Sequence, residues 1–215
     1  MMKLQNWGVG VLLAVAANSV QAQAYFSSTT QIGGAPLANF EGFAEGTLIL
    51  NQYAGVTFGQ APLAGRPQID NPPYLFGYSG VGGSSALTGS LEGGYPFVTV
   101  AGITATFTAP MARVEAWFSD NAPLGSYTFS AFGAGDLLLE SLGITSTQPL
   151  GFYVGFNRAA ADIVRVQFGP STAFGDAFAI DDLRASPTVV PEPSTLVLMG
   201  LGGALLAAWR HRRLA

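Results

Sequence analysis

The sequence has no cysteine, and its only lysine and only histidine lie near the two ends, at Lys3 and His211. Residues 25–187 therefore lack the side chains for Ser-His or Cys-His catalysis, histidine-bound zinc, Schiff-base chemistry or a P-loop. Disulfide bonds are also excluded, so a buried core must hold this region together. Only carboxylates remain for acid-base chemistry. We expect a protein that is not an enzyme; the alternative is a two-carboxylate glycoside hydrolase.

Residues 25–187 carry a net negative charge. Five arginines stand against twelve Asp and Glu residues, an excess of seven negative charges. Such a surface repels the phosphates of nucleic acids, so DNA and RNA are not expected partners. The length of this region suits one domain with a substantial core.

The first 24 residues have the features of a signal peptide. Lys3 begins a weakly charged region, residues 9–17 form a short apolar run, and Ala22 and Ala24 are small residues of the kind that a signal peptidase reads. We expect cleavage after Ala24, with cleavage after Ala22 as the alternative. The sequence thus predicts export by the Sec machinery and processing by signal peptidase.

The C-terminal end combines a proline-flanked acid, an apolar run and a basic tail. Residues 188–193 form a linker that contains Val190-Pro191-Glu192-Pro193, whose prolines favour extended backbone. Residues 194–209 are uncharged and predict a transmembrane helix. Its apolar part would span about 23 Å, against about 30 Å for the bilayer core, which is short for a permanent anchor.

Residues 210–215 form the basic tail, which contains Arg210, Arg212 and Arg213. The positive-inside bias predicts that these arginines stay in the cytoplasm and that the rest of the protein lies outside. An ordinary C-terminal membrane anchor with a proline-rich stalk is the alternative interpretation of this end.

This C-terminal arrangement resembles the PEP-CTERM sorting signal of Gram-negative surface proteins, in which a Pro-Glu-Pro motif precedes a short transmembrane helix and a basic tail. The resemblance implies that an exosortase is a partner and reads Pro191, Glu192 and Pro193 during export. It also implies passage through the inner membrane to the cell surface or the medium. Proteins of this family accompany exopolysaccharide production and biofilm or floc formation, so association with matrix polysaccharide is the leading functional hypothesis.

The alternation of side chains predicts an all-β fold for residues 25–187. Residues 111–117 put Arg113 and Glu115 on one face and small apolar residues on the other, as in a half-buried strand. Residues 60–85, rich in proline and glycine, predict a long loop. An antiparallel, jelly-roll-like β-sandwich follows. The other predicted strands cover residues 99–108, 126–132, 136–142, 150–156, 162–168 and 177–184.

The opening segment around Asn39-Phe40-Glu41-Gly42-Phe43 and the closing segment Phe178-Ala179-Ile180-Asp181-Asp182-Leu183 resemble those of exported β-sandwich domains and carbohydrate-binding jelly rolls. The resemblance implies that the first and last strands lie close together. Glu41 with Asp181 or Asp182 would then be candidate ligands of a structural Ca²⁺ ion. The alternative is that these are solvated acids with no ion.

Aromatic side chains next to the predicted loop are candidates for binding sugar rings. Tyr74 and Tyr78 lie among glycines and prolines, where an exposed platform for stacking is natural. Aromatic residues of a β-sandwich more often belong to the core. Besides a lectin-like module and a glycosidase, a structural or adhesive surface protein with no discrete ligand remains an open interpretation.

Overall fold

The computed structural model describes residues 23–61, 65–70, 85–91, 102–120, 126–145, 151–169 and 178–189. Within them, nearly all regular structure is β-strand, apart from one 3₁₀ turn at Ala134–Asp136. In chain order the strands are β1 (Gln23–Ser27), β2 (Val56–Ala61), β3 (Gly65–Asp70), β4 (Ala86–Leu91), β5 (Gly102–Met111), β6 (Arg113–Asp120), β7 (Ser126–Phe132), β8 (Leu138–Thr145), β9 (Phe152–Asn157), β10 (Ile163–Phe168) and β11 (Phe178–Ser186).

The strands form two antiparallel sheets. The six-stranded sheet has the order β1-β9-β6-β11-β4-β3, and the five-stranded sheet has the order β2-β5-β10-β7-β8. The seven strands predicted from alternation are all present, as β5 to β11. The all-β antiparallel prediction is confirmed for the described residues.

The core lies between the inner faces of the two sheets and is rich in stacked aromatic rings. Phe129 of β7 lies 4.3 Å from Phe168 in the same sheet and 4.4 Å from Phe156 of the opposite sheet, measured between ring centroids. All three side chains are fully buried. Aromatic burial of this kind contributes stability in place of the disulfide bonds that the sequence excludes.

The opening and closing segments meet, as expected. The backbone of Ala38 bridges Leu183 of β11, with the Leu183 N–H donating to the Ala38 carbonyl over 2.8 Å. The opening segment is therefore hydrogen-bonded to the last strand, β11.

The prediction of an uninterrupted loop over residues 60–85 was wrong, because β3 (Gly65–Asp70) lies inside it. Pro67 pairs with Gly89 in this strand. A proline has no N–H for a sheet ladder, but β3 is an edge strand of the six-stranded sheet, where proline is tolerated. The Pro67 carbonyl still accepts a hydrogen bond from Ile49, over 2.9 Å.

No helix long and apolar enough to span a membrane occurs among the described residues. The predicted helix of residues 194–209, the basic tail and the signal peptide up to residue 22 all lie outside them. Strand β1 begins at Gln23, two residues before the predicted start of the folded domain.

Candidate binding site

Strands β1, β9, β6 and β11 lie side by side, and their outward-facing residues form one surface, named here the outer face. Ala24, Val114 and Phe156 point into the core, so the residues next to them in each strand point outward. Pairing puts Gln23 beside Asn157, and Asn157 beside Arg113. The neighbouring row of this face consists of Tyr25, Gly155, Glu115 and Arg184.

Glu115 is fully buried, although the alternation of β6 predicts a solvent-facing side chain. The chain that follows β1 covers it. The Tyr25 hydroxyl and the Gln31 N–H donate to Oε2 over 2.6 and 2.9 Å, and the Ile32 N–H donates to Oε1 over 3.0 Å. The Thr30 hydroxyl also donates to Oε1. A buried carboxylate requires such donors, so Glu115 anchors the N-terminal segment to the sheet.

Tyr25 reaches Glu115 by lying across Gly155. A Cβ at position 155 would be 2.5 Å from Tyr25 Cζ and 2.9 Å from Glu115 Cβ, so only glycine leaves room for the ring. Burial is the main reason that the pKa of Tyr25 lies well above its ordinary value, followed by the hydrogen bond to Glu115. The phenol therefore stays protonated and donates to the carboxylate.

A groove of about 330 Å³ opens at this end of the outer face. Its wall contains amide, hydroxyl and guanidinium groups, and the Arg113 guanidinium donates from one terminal nitrogen to the Gln31 carbonyl over 2.6 Å. Among the described residues, neither Arg113 Nε nor Asn157 Oδ1 has a hydrogen-bond partner. Both atoms are buried, so the wall of the groove contains one donor and one acceptor without partners in the described ranges, beneath its open surface. Its lining residues are Gln23, Tyr25, Phe26, Ser27, Gln31, Arg113 and Asn157.

Asp182 and Arg184 form a second polar cluster on the same sheet. Arg184 donates to both carboxylate oxygens of Asp182, over 3.0 and 3.1 Å, and the Tyr153 hydroxyl donates to Asp182 Oδ2. Burial chiefly, and then the bond to Asp182, raises the pKa of Tyr153. Arg184 also donates to the Ile32 carbonyl over 3.1 Å. This cluster therefore holds the same N-terminal segment as Glu115 does.

The predicted calcium ligands are not brought together as a set. The pairing of β11 shifts register between Asp181 and Arg184, and Asp182 has a φ of 51°. This bulge directs the Asp182 carboxylate to Arg184, which occupies both of its oxygens. Glu41 instead accepts a hydrogen bond from the Ser85 N–H over 3.1 Å. Within the described part of the chain, no three His, Cys, Asp or Glu residues form a group that could hold a metal ion.

A Ca²⁺ ion with Glu41, Asp181 and Asp182 as ligands therefore stays a prediction that the Asp182 geometry does not favour. Glu41 and Asp181 do share one neighbour, since both contribute to the raised pKa of Tyr53, for which burial is the main cause.

The remaining predicted site residues lie outside the described residues. They are Tyr74 and Tyr78 of the proposed sugar platform, Val190, Pro191, Glu192 and Pro193 of the sorting motif, and Arg210, Arg212 and Arg213 of the basic tail.

Nothing in the sequence marks Tyr25 and Gln31 as neighbours of Arg113, because more than 80 residues separate the groups that meet in the groove. The one available signal was Glu115, an acid between the apolar residues Val114 and Ala116 of β6.

Solved structures with similar backbones include the K2 cleaved adhesin domain of Lys-gingipain, at 14% identity and a TM-score of 0.48. That match covers 76% of this chain and 97% of the other. TmCBM61 in complex with β-1,4-galactotriose matches at 13% identity and a TM-score of 0.41, covering 63% and 90%. The CBM22-1 xylan-binding domain from Paenibacillus barcinonensis matches at 10% and 0.39, covering 74% and 99%. A search of the curated proteins found no match.

The C-terminal end of the chain matches a family model. The model describes the PEP-CTERM protein-sorting motif and matches residues 189–213, which include the Pro-Glu-Pro sequence, the apolar run and the arginines. The resemblance predicted from these residues is confirmed. The chain is thus one of the proteins that carry the PEP-CTERM sorting motif.

Proposed function

We propose that this chain is an exported cell-surface or matrix protein whose β-sandwich associates with neutral exopolysaccharide through the groove of the outer face. The observation that carries the proposal is the pair of buried polar atoms without partners among the described residues, Arg113 Nε and Asn157 Oδ1, in the wall of a groove lined mainly by polar side chains. The sorting motif at residues 189–213 supports the location, because it is a signal for export.

Sugar hydroxyls match the chemistry of this groove. Each hydroxyl both donates and accepts, so one ring can accept from Arg113 and donate to Asn157. Both atoms are buried in the absence of a ligand, so the proposal requires the two side chains to turn toward the groove when a sugar binds. Two hydrogen bonds would contribute about 1 kcal/mol each to the binding free energy of one sugar unit. A polymer with many such units would bind several protein copies at once, which strengthens the overall binding.

A neutral polysaccharide suits the protein better than a polyanion. The exported region carries twelve acids against five arginines, and its field repels polymers rich in carboxylate or sulfate. The arginine in the groove serves as a hydrogen-bond donor to hydroxyls.

The groove does not favour a two-carboxylate hydrolase. Glu115, the acid that contacts the groove lining, is fully buried and accepts four hydrogen bonds. Asp182 is bound by Arg184 on both oxygens. Neither is free to protonate a glycosidic oxygen or to activate water.

The test is affinity electrophoresis of the exported protein through gels containing neutral polysaccharides, together with the exopolysaccharide of the exporting cells. We expect retardation by at least one polymer. Arg113→Met and Asn157→Leu should each weaken that binding about tenfold, which corresponds to the loss of about 1.4 kcal/mol.

The matched control is Gln167→Leu, which removes an amide from β10 in the other sheet, far in the pairing order from the groove. Melting temperatures of all variants show whether the fold is kept. Unchanged retardation of both groove variants would refute the groove as the site. The absence of binding to every polymer would instead favour a structural or adhesive protein with no discrete ligand.

A further inference from the structure

The first strand of the sandwich includes residues that the expected signal-peptidase cut would remove. Cleavage after Ala24 leaves Tyr25 as the first residue, whereas β1 begins at Gln23. Gln23 pairs with Asn157 and Ala24 pairs with Phe156, so two of the five paired positions between β1 and β9 precede Tyr25. Ala24 also packs against the main hydrophobic core. The fold uses both residues.

A terminus at Tyr25 would also disturb the outer face. Its new ammonium group would replace a neutral peptide within strand β1, at a residue that lines the groove together with Arg113. Two positively charged groups would then belong to the lining of one groove. Removing Gln23 would further delete one wall of the groove, since its side chain belongs to the lining.

We infer that signal peptidase cleaves between Ala22 and Gln23, so that the mature chain begins with a complete β1. Water hydrolyses this peptide bond, which leaves the carboxylate on Ala22 and the new amine on Gln23. Val20 and Ala22 supply the aliphatic and small residues that the peptidase needs before the cut. The position of the cut does not depend on what the groove binds.

The direct test is the intact mass and N-terminal peptide sequence of the full chain after export from a Gram-negative host. We expect Gln23 as the first residue. A lactam at Gln23, formed when its amine attacks its own side-chain amide and releases ammonia, reports the same cut. A chain that begins at Tyr25, at any other residue or with the signal peptide intact overturns the inference.

A pair of matched substitutions provides an independent readout. Ala24→Val puts a larger residue at the position before a cut after Ala24, but leaves Ala22 in place. We expect this variant to be processed at the wild-type rate and to begin at Gln23. Ala22→Val puts the same side chain before the inferred cut and should slow the appearance of the Gln23 terminus at least tenfold. The inference fails if Ala24→Val blocks processing while Ala22→Val leaves it unchanged.

Discussion

Glu115 carries a carboxylate inside the protein, on a strand whose alternation would put it in solvent. Its position is stable because four donors from residues 25–32 converge on its two oxygens. Three of these donors follow β1 in the sequence, so one side chain of β6 determines the path of the N-terminal segment. Because the groove is built on that segment, Glu115 supports the proposed binding site without lining it.

Replacing Glu115 with glutamine should therefore destabilise the protein. The new amide group would point donors at backbone N–H groups that now bond to a carboxylate, and we expect the free energy of unfolding to fall by about 1 to 3 kcal/mol. Urea unfolding at neutral pH measures this change. Glu140→Gln is the control, because Glu140 lies 3.6 Å from the guanidinium of Arg158, which keeps Asp162 as its partner in this variant. Equal losses in both variants would contradict the anchoring role.

Gly155 is the second residue on which the outer face depends. Gly155→Ala would drive a Cβ into the Tyr25 ring and break its hydrogen bond with Glu115, so we expect a loss of about 1 to 3 kcal/mol in unfolding free energy. Gly143→Ala, in β8, is the matched control. A Cβ there meets nothing within 4 Å, and its effect should stay within about 0.5 kcal/mol. An unchanged unfolding free energy in Gly155→Ala would mean that the Tyr25 ring does not lie over residue 155.

At the scale of elements, the neighbouring strands β1 and β9 couple the stability of the fold to alkaline pH through Tyr25 and Tyr153. The pKa values of Tyr25 and Tyr153 are both raised, mainly by burial. Because unfolding returns each phenol to a pKa of about 10, their stabilisation is complete below that pH and is lost as the pH rises above it. We expect the urea midpoint to fall between about pH 10 and 11, and to fall less steeply in Tyr25→Phe, which has no phenol to ionise at this position. Identical pH dependence in the two proteins would contradict this coupling.

The strands from β5 onward could be predicted because each is a run of strand-favouring residues with Gly, Pro, Asn or Asp near its ends, and some of them, such as β6, also alternate. Strand β3 could not, since Pro67 breaks the pattern of a strand, and only the edge position revealed by the whole sheet makes it acceptable. The burial of Glu115 also escapes sequence reasoning. Its donors come from a segment more than 80 residues earlier, and alternation reports the faces of one strand but not what covers them.

The Asp181-Asp182 pair illustrates the same limit. A regular strand would point the two carboxylates to opposite faces, and the bulge in β11 instead turns Asp182 toward Arg184. No local sequence feature distinguishes this arrangement from a pair of calcium ligands. The candidate site thus depends on long-range contacts, whereas most of the fold depends on local patterns.

At the scale of the whole molecule, the chain combines a sandwich with an uneven charge and a C-terminal sorting motif. The motif could be predicted from sequence because its three parts are contiguous and need no tertiary contact to be read. The proposed polysaccharide binding belongs to the sandwich, and the sorting motif lies at residues 189–213.

The most direct test is the intact mass of the surface-exposed protein from cells with and without their exosortase, because this mass shows whether the C-terminal residues remain on the chain. With the enzyme present, we predict a mature chain that has lost Arg210, Arg212 and Arg213 together with the apolar run. Without the enzyme, the same cells should retain these residues on a membrane-bound form. A surface protein that keeps the arginine tail in both strains would contradict sorting through this motif.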